Sequence, residues 1–300
     1  MSQAIGHDPD EVEIESSRAP LMDHLIELRK RLIICVVAVV IGFIGCFSFA
    51  KPIFLFLVRP FQVAEGLRAV QTASGAHHGP FDLLLALVGL KDVPAGAIPE
   101  ITLQATAPLE QLFTNMRLAA FGAVIITFPI IAWQLYRFVA PGLYRKERNA
   151  FLPFLLASPI LFMMGAALVY YVMLPFVLWF SLNQQMAGDG VKVLLQTKVS
   201  EYLSLVTTLL LAFGLSFQLP VVLTLAGLAG LVNSHMLRTG RRYAIVGVFL
   251  LAAIVTPPDP ISQITLAIPL CLLYEISIWC VWLIERRRSR DEADTDIVAA

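Results

Sequence analysis

Residues 24–50 read HLIELRKRLIICVVAVVIGFIGCFSFA. The apolar part, Leu32 to Ala50, is long enough to cross a bilayer as a helix. The three consecutive cations before it, Arg29, Lys30 and Arg31, hold this end on the cytoplasmic side, because positive charge next to a span resists translocation. Glu27 does nothing for that task. A carboxylate at the lip of a basic membrane edge has two readings: half of an ordinary pair with Arg31, one helical turn on, or a group waiting for a cationic partner.

The rest of the chain repeats the apolar theme. Of 300 residues 58% are hydrophobic and 15% charged, which excludes an ordinary soluble domain and points to a polytopic membrane protein. A formal net charge of zero argues against a nucleic-acid partner. Cys35, Cys46, Cys271 and Cys280 lie inside apolar runs without metal or redox-pair spacing and read as small core residues. Residues 1–20 are acidic and polar, the wrong composition for a signal n-region, and are expected to form a disordered tail.

Spans are expected at about 32–50, 116–136, 151–173, 203–232, 244–256 and 261–284, with 285–300 a cytoplasmic tail. The fifth is short. Ala244–Val255 would cover roughly 18 Å at ~1.5 Å per residue, against a hydrocarbon core of about 30 Å. It ends in Thr256-Pro257-Pro258-Asp259-Pro260, which cannot lie in lipid as open backbone. A short hairpin of spans five and six that stops below the far membrane plane is the simplest account. Arginine and lysine cluster at 29–31, 145–148, 238–242 and 286–290, which gives six spans with both termini in the cytoplasm.

The segment at about 51–111 is expected to be a long outer loop, with Phe81–Leu90 as a surface helix on the membrane or packed on the outer face. His77 and His78 fall in a Gly/Ala/Ser-rich stretch and read as solvated loop. Prolines 129, 153, 159, 175, 220 and 269 predict a bent, concave body. No internal repeat or phosphate-binding loop is visible, and no expected span contains a GxxxG pair.

Polar residues at membrane depth are the candidate sites. Glu275 in the sixth span costs about 2.5–3.5 kcal/mol to insert and is expected to be protonated or to face a polar pocket. Gln218, followed by Pro220, either joins helices, offers a polar spot to a partner helix, or bonds backbone freed by the proline. At the inner lip, Leu21, Leu25, Leu28 and Leu32 form an apolar stripe beside Asp23 and Glu27. After span two, Glu147 is again one carboxylate among Arg145, Lys146 and Arg148.

Four stretches together resemble one family, the TatC family of twin-arginine translocases. They are His24–Arg31, Phe138–Arg148, Phe213–Pro220 and Thr256–Gln263, in order along nearly the whole chain. The resemblance implies a non-enzymatic receptor and scaffold in the bacterial cytoplasmic (inner) membrane. It would export folded proteins whose signal peptides carry two consecutive arginines, driven by the proton-motive force and needing no cofactor. The implied partners are single-span TatA- and TatB-type proteins, further copies of the chain and the lipid bilayer. The implied recognition residues are Glu27 and Glu147, with Leu28, Arg29, Phe138, Leu143 and Tyr144 around them. Gln218, Pro220 and Glu275 would serve partner helices, and Asp259 and Gln263 the outer hairpin. Chemistry agrees: arginine is always charged, and its planar fork matches a carboxylate.

The chain departs from the family pattern in places. Gln218 stands where members often carry glutamate, residues around 68–100 exceed compact members, and Asn149 stands where some carry a basic residue. Two rival readings stand beside this one. A proton-coupled transporter of a small solute would use Glu275 but predicts an internal repeat. A membrane hydrolase would need a nucleophile and base, or a metal set, at membrane depth, and no histidine lies in an expected span.

Overall fold

The computed structural model describes residues 9–74, 79–90, 104, 107–139, 147–184, 186–188, 191–193, 198–228, 230–255 and 260–299. The elements are α1 (Pro9–Ser48), α2 (Ala50–Ser74), α3 (Pro80–Val88), α4 (Glu110–Val139), α5 (Glu147–Leu168), a π-helical turn (Val169–Met173), α6 (Leu174–Asn183), β1 (Met186–Gly188), β2 (Val191–Val193), α7 (Val199–Ser216), α8 (Leu219–Leu228), α9 (Ser234–Val255) and α10 (Pro260–Ala299). The strands form one small antiparallel hairpin, Ala187 facing Lys192. The described chain is otherwise mainly helical, and it is a multi-pass membrane protein.

Five stretches are long and apolar enough to cross a bilayer: Leu25–Ser48, Glu110–Phe138, Leu156–Asn183, Val199–Leu228 and Gln263–Arg286. They correspond to expected spans one to four and six. The expected fifth lies in α9, which starts at Ser234, so Arg238, Arg241 and Arg242 are helical too. The third span runs on to Asn183: a π turn absorbs the misfit before Pro175, near the start of α6. The fourth breaks at Phe217 and Gln218, just ahead of Pro220. It stops at Leu228 rather than near 232, because Gly230 takes a φ of +70° and Leu231 N–H bonds back to Ala226 O at 2.9 Å. Pro129 and Pro269 sit inside unbroken helices.

One expectation for the N-terminus and one for the outer segment need correction. The backbone is helical from Pro9, where the composition suggests a tail to residue 20. The sequence there is acidic, with Asp10, Glu11 and Glu13, as the positive end of a helix dipole favours. The expected C-terminal tail continues α10 to Ala299. Residues 50–74 are a helix, not loop. Leu57, Val58, Phe61, Ala64 and Leu67 are buried along one face of it, and the interspersed Lys51, Arg59, Glu65 and Arg68 mask that period in the sequence. The expected surface helix is α3. It buries Leu83, Ala86 and Leu87 against α2 and α6, and exposes Phe81, Leu85 and Val88 on its other face.

Pro60 explains how α2 is held. Lacking an N–H, it leaves the Phe56 carbonyl without its helical donor. The Tyr170 hydroxyl donates to that oxygen at 2.8 Å, its ring stacked on Phe56 at 4.5 Å. The neighbouring Leu57 carbonyl takes the Tyr202 hydroxyl at 2.9 Å. Two tyrosines, one from the π turn and one from α7, therefore anchor consecutive carbonyls of α2.

The core lies where α2, α4, the α5–α6 run and α7 meet, around Leu118, Leu174, Leu203, Leu209 and Phe213. Small residues set the closest approaches. A Cβ on Gly214 would lie 2.6 Å from the Phe162 ring, and one on Gly165 2.8 Å from Phe213 O. So α5 and α7 each offer a glycine to the other's aromatic residue. Helix α1 packs along α4, and only 6% of its span is buried. Most of its length therefore faces lipid or a partner.

Candidate functional site

The lip where α1 meets the end of α4 carries the most concentrated chemistry. Arg31, one turn after Glu27 on α1, donates from Nε to Glu27 Oε1 at 3.0 Å, and its Nη2 pairs with the same oxygen. Its Nη1 reaches Gln134 Oε1 on α4 at 3.4 Å. One guanidinium thus orients the carboxylate and ties it to the second helix. The Arg31 side chain is 18% exposed and the Glu27 side chain 34%.

Around this pair the expected residues fall as follows. Arg29 is exposed, and Leu28 is 41% exposed with Leu25 and Leu32 more so; the apolar stripe points away from the core. Phe138, one turn beyond Gln134, is half-buried, and α4 ends at Val139. Leu143 and Tyr144 lie outside the described residues. Glu147 opens α5, and its side chain lies outside the described set.

Gln218 sits in the break between α7 and α8. It accepts from Ser158 Oγ at 2.7 Å and donates to Ser158 O at 2.9 Å. The amide therefore joins α5 to the α7–α8 break, rather than bonding backbone freed by Pro220, which is itself buried. The Glu275 carboxylate accepts from Arg241 at 2.7 Å and links α10 to α9. Its expected polar surroundings are thus an arginine from the neighbouring helix. Gln263 donates to Phe249 O at 3.2 Å across the same two helices. Asp259 lies outside the described residues. Two further ties, Tyr274 Oη to Leu237 O at 2.9 Å and Glu285 accepting from Ser234 N–H at 2.8 Å, complete a polar seam between α9 and α10.

Sequence reasoning missed Gln134, Ser158 and Arg241. Each is a partner brought in by packing from another helix. A hint was present for all three, since an amide, a hydroxyl and an arginine at or near span depth each need a partner. Among the described residues no group of three His, Cys, Asp or Glu could hold a metal ion. His77 and His78 lie outside them.

Known proteins share this architecture and sequence. The family profile described as "Sec-independent protein translocase protein (TatC)" matches residues 23–269. The TatC protein of Magnetococcus marinus is 40% identical over 276 residues, 92% of this chain and 89% of its own. That of Escherichia coli K12 is 34% identical over 274 residues, 91% and 92%. A crystal structure of the twin-arginine translocase receptor TatC superposes with a TM-score of 0.62 at 34% identity, covering 86% of this chain and 97% of that one. A second, in the detergent DDM, gives 0.66 at 36%, covering 85% and 98%. With the profile spanning most of its length and relatives matching it nearly end to end, the chain belongs to the TatC family of Sec-independent protein translocase proteins.

Proposed function

We propose that the chain is the receptor component of a twin-arginine export system, a binding scaffold rather than an enzyme. It takes the signal peptides of folded cargo at its cytoplasmic face. The observation that carries this reading is the Glu27 carboxylate, oriented by Arg31 and Gln134 and left one-third exposed at the α1–α4 lip. Glu147, at the start of α5, supplies the second carboxylate for the second arginine. Arg29, Leu28 and Phe138 border the site and, with Leu143 and Tyr144, are assigned to recognition, the apolar members taking the aliphatic stems of the incoming arginines.

The chain crosses the bacterial inner membrane six times, with α9 as the short fifth span and both termini in the cytoplasm. The clusters at 29–31, 145–148, 238–242 and 286–290 support that orientation. TatA- and TatB-type helices dock by the α9–α10 hairpin and near Gln218, Pro220 and Glu275, with Asp259 and Gln263 at its outer turn. Further copies of the chain complete the receptor, and the proton-motive force drives transport. The transporter alternative needs Glu275 to couple protons; its carboxylate is engaged by Arg241 instead.

The test is binding of a labelled twin-arginine signal peptide to the purified chain, with export of a folded reporter in cells. Glu27→Lys or Glu147→Lys should weaken binding by about 2–5 kcal/mol, roughly 30- to 5,000-fold, while the protein still inserts. Wild-type binding and export in both variants would refute the site.

A further inference from the structure

At the membrane face where α4 and α7 begin, the two helix starts are sewn together. Val199 N–H bonds to Gln104 O at 3.2 Å, and Ser200 Oγ donates to the Glu110 carboxylate, which also accepts Ala107 N–H at 3.2 Å. Beside this seam opens a cleft lined by Leu109, Glu110, Phe113, Arg117, Lys198 and Glu201. Its charges are unequally committed. Glu110 is held by the seam. Lys198 and Glu201 face each other at 3.4 Å with side chains 45% and 71% exposed, a weak pair. Arg117 is exposed and has no ion pair among the described residues.

Depth gives the cleft its meaning. The α4 span, Glu110–Phe138, has 29 residues, or about 43 Å, close to a bilayer of about 40–45 Å with its headgroups. Glu110 therefore lies in the headgroup layer, and Arg117, two turns on, about 10 Å deeper near the acyl boundary. A guanidinium there snorkels toward the headgroup layer, where lipid phosphates lie within reach. Next to it Leu109 and Phe113 are 58% and 63% exposed, an apolar surface at the same level.

We propose that this cleft binds one zwitterionic phospholipid, of the phosphatidylethanolamine type. Its phosphate sits between Arg117 and Lys198, its ammonium meets Glu201, and its acyl chains run along Leu109 and Phe113. Both signs of charge line the cleft, so a headgroup carrying both is matched, whereas a purely anionic one competes with Glu201 for Lys198 and brings no ammonium to offset that carboxylate.

Native mass spectrometry of the detergent-purified full chain, titrated with phosphatidylethanolamine or with phosphatidylglycerol of the same acyl chains, tests this. Wild type should prefer phosphatidylethanolamine. Arg117→Gln and Lys198→Gln should each raise its Kd about tenfold. Arg117→Lys, which keeps the charge, should retain most binding and guards against loss of fold, as do melting curves. Glu201→Gln should erase the preference between the two lipids. Any of three results overturns the proposal: wild-type affinity in both Arg117→Gln and Lys198→Gln, equal affinity of the wild type for the two lipids, or binding of water-soluble glycerophosphoethanolamine as tight as that of the lipid. None depends on signal-peptide binding, so this proposal and the receptor reading fail separately.

Discussion

Arg31 binds Glu27 on its own helix and Gln134 on the next, so one guanidinium fixes the proposed recognition carboxylate and joins α1 to α4. An isolated i,i+4 pair would contribute only a few tenths of a kcal/mol. The second contact changes its role from stabilising a helix to positioning an acceptor. A carboxylate accepts several donors, so an incoming arginine can share Glu27 without expelling Arg31.

A lysine cannot serve both partners in this geometry, because its single ammonium lacks the guanidinium fork. Arg31→Lys should therefore weaken signal-peptide binding by about 1 kcal/mol, roughly fivefold. Gln134→Leu should cost about the same, and the double variant little more, since both remove one linkage. Fluorescence anisotropy with a labelled twin-arginine peptide gives the cycle. Full additivity would mean that Gln134 does not act through Arg31.

Tyr170→Phe keeps the ring stacked on Phe56 and removes only the hydroxyl. The Phe56 carbonyl then loses its donor, because Pro60 cannot supply one. Thermal melts in detergent should show a loss of about 1–3 kcal/mol. Tyr202→Phe should cost less, since Phe61 keeps the N–H that serves Leu57 O. Pro60→Ala should restore part of the stability of Tyr170→Phe. A rescue that fails would leave the proline out of the explanation.

The α5–α7 crossing makes a steric prediction. A methyl on Gly214 would meet Phe162 at 2.6 Å, so Gly214→Ala should destabilise by about 1–3 kcal/mol. Phe162→Leu in the same chain should recover part of that loss. Gly45→Ala is the control. Nothing lies within 4 Å of its Cβ, and alanine favours helix, so it should be neutral or stabilising. Equal effects at Gly214 and Gly45 would show helix propensity, not crowding, at work.

These contacts mark where sequence reading stops. Five spans were legible because about 20 apolar residues in a row have one physical solution in a bilayer. Glu27 was legible because a carboxylate among cations is out of place. Gln134 was not, since it lies 103 residues from Arg31 and only packing brings them together. Gly165 and Gly214 escaped for the same reason: they come from different helices and leave no GxxxG trace. Helix α2 was hidden by its own charges, although Leu57, Phe61 and Ala64 carry the helical period. Likewise the need of Glu275 for polar company was readable, but its partner Arg241 was not.

One of those charges in α2 is a stability determinant. Burial raises the Glu65 carboxyl above its ordinary value of 4.5, and Arg68 pulls it partly back. A raised carboxyl pKa means that the folded chain holds the proton more tightly than the unfolded one. Stability therefore falls as pH rises from about 4.5 through the raised value, and the penalty is complete above it. Glu65→Gln removes that penalty. It should be more stable than the wild type at pH 7 and equal to it once the pH is below the ordinary value. Arg68→Gln removes the opposing attraction and should steepen the wild-type loss. Melting temperatures of the three proteins in one detergent, taken from pH 4 to pH 8, give the comparison. A wild type that gains stability over Glu65→Gln as pH rises would reverse the sign, and would mean that Arg68 outweighs burial at this carboxylate.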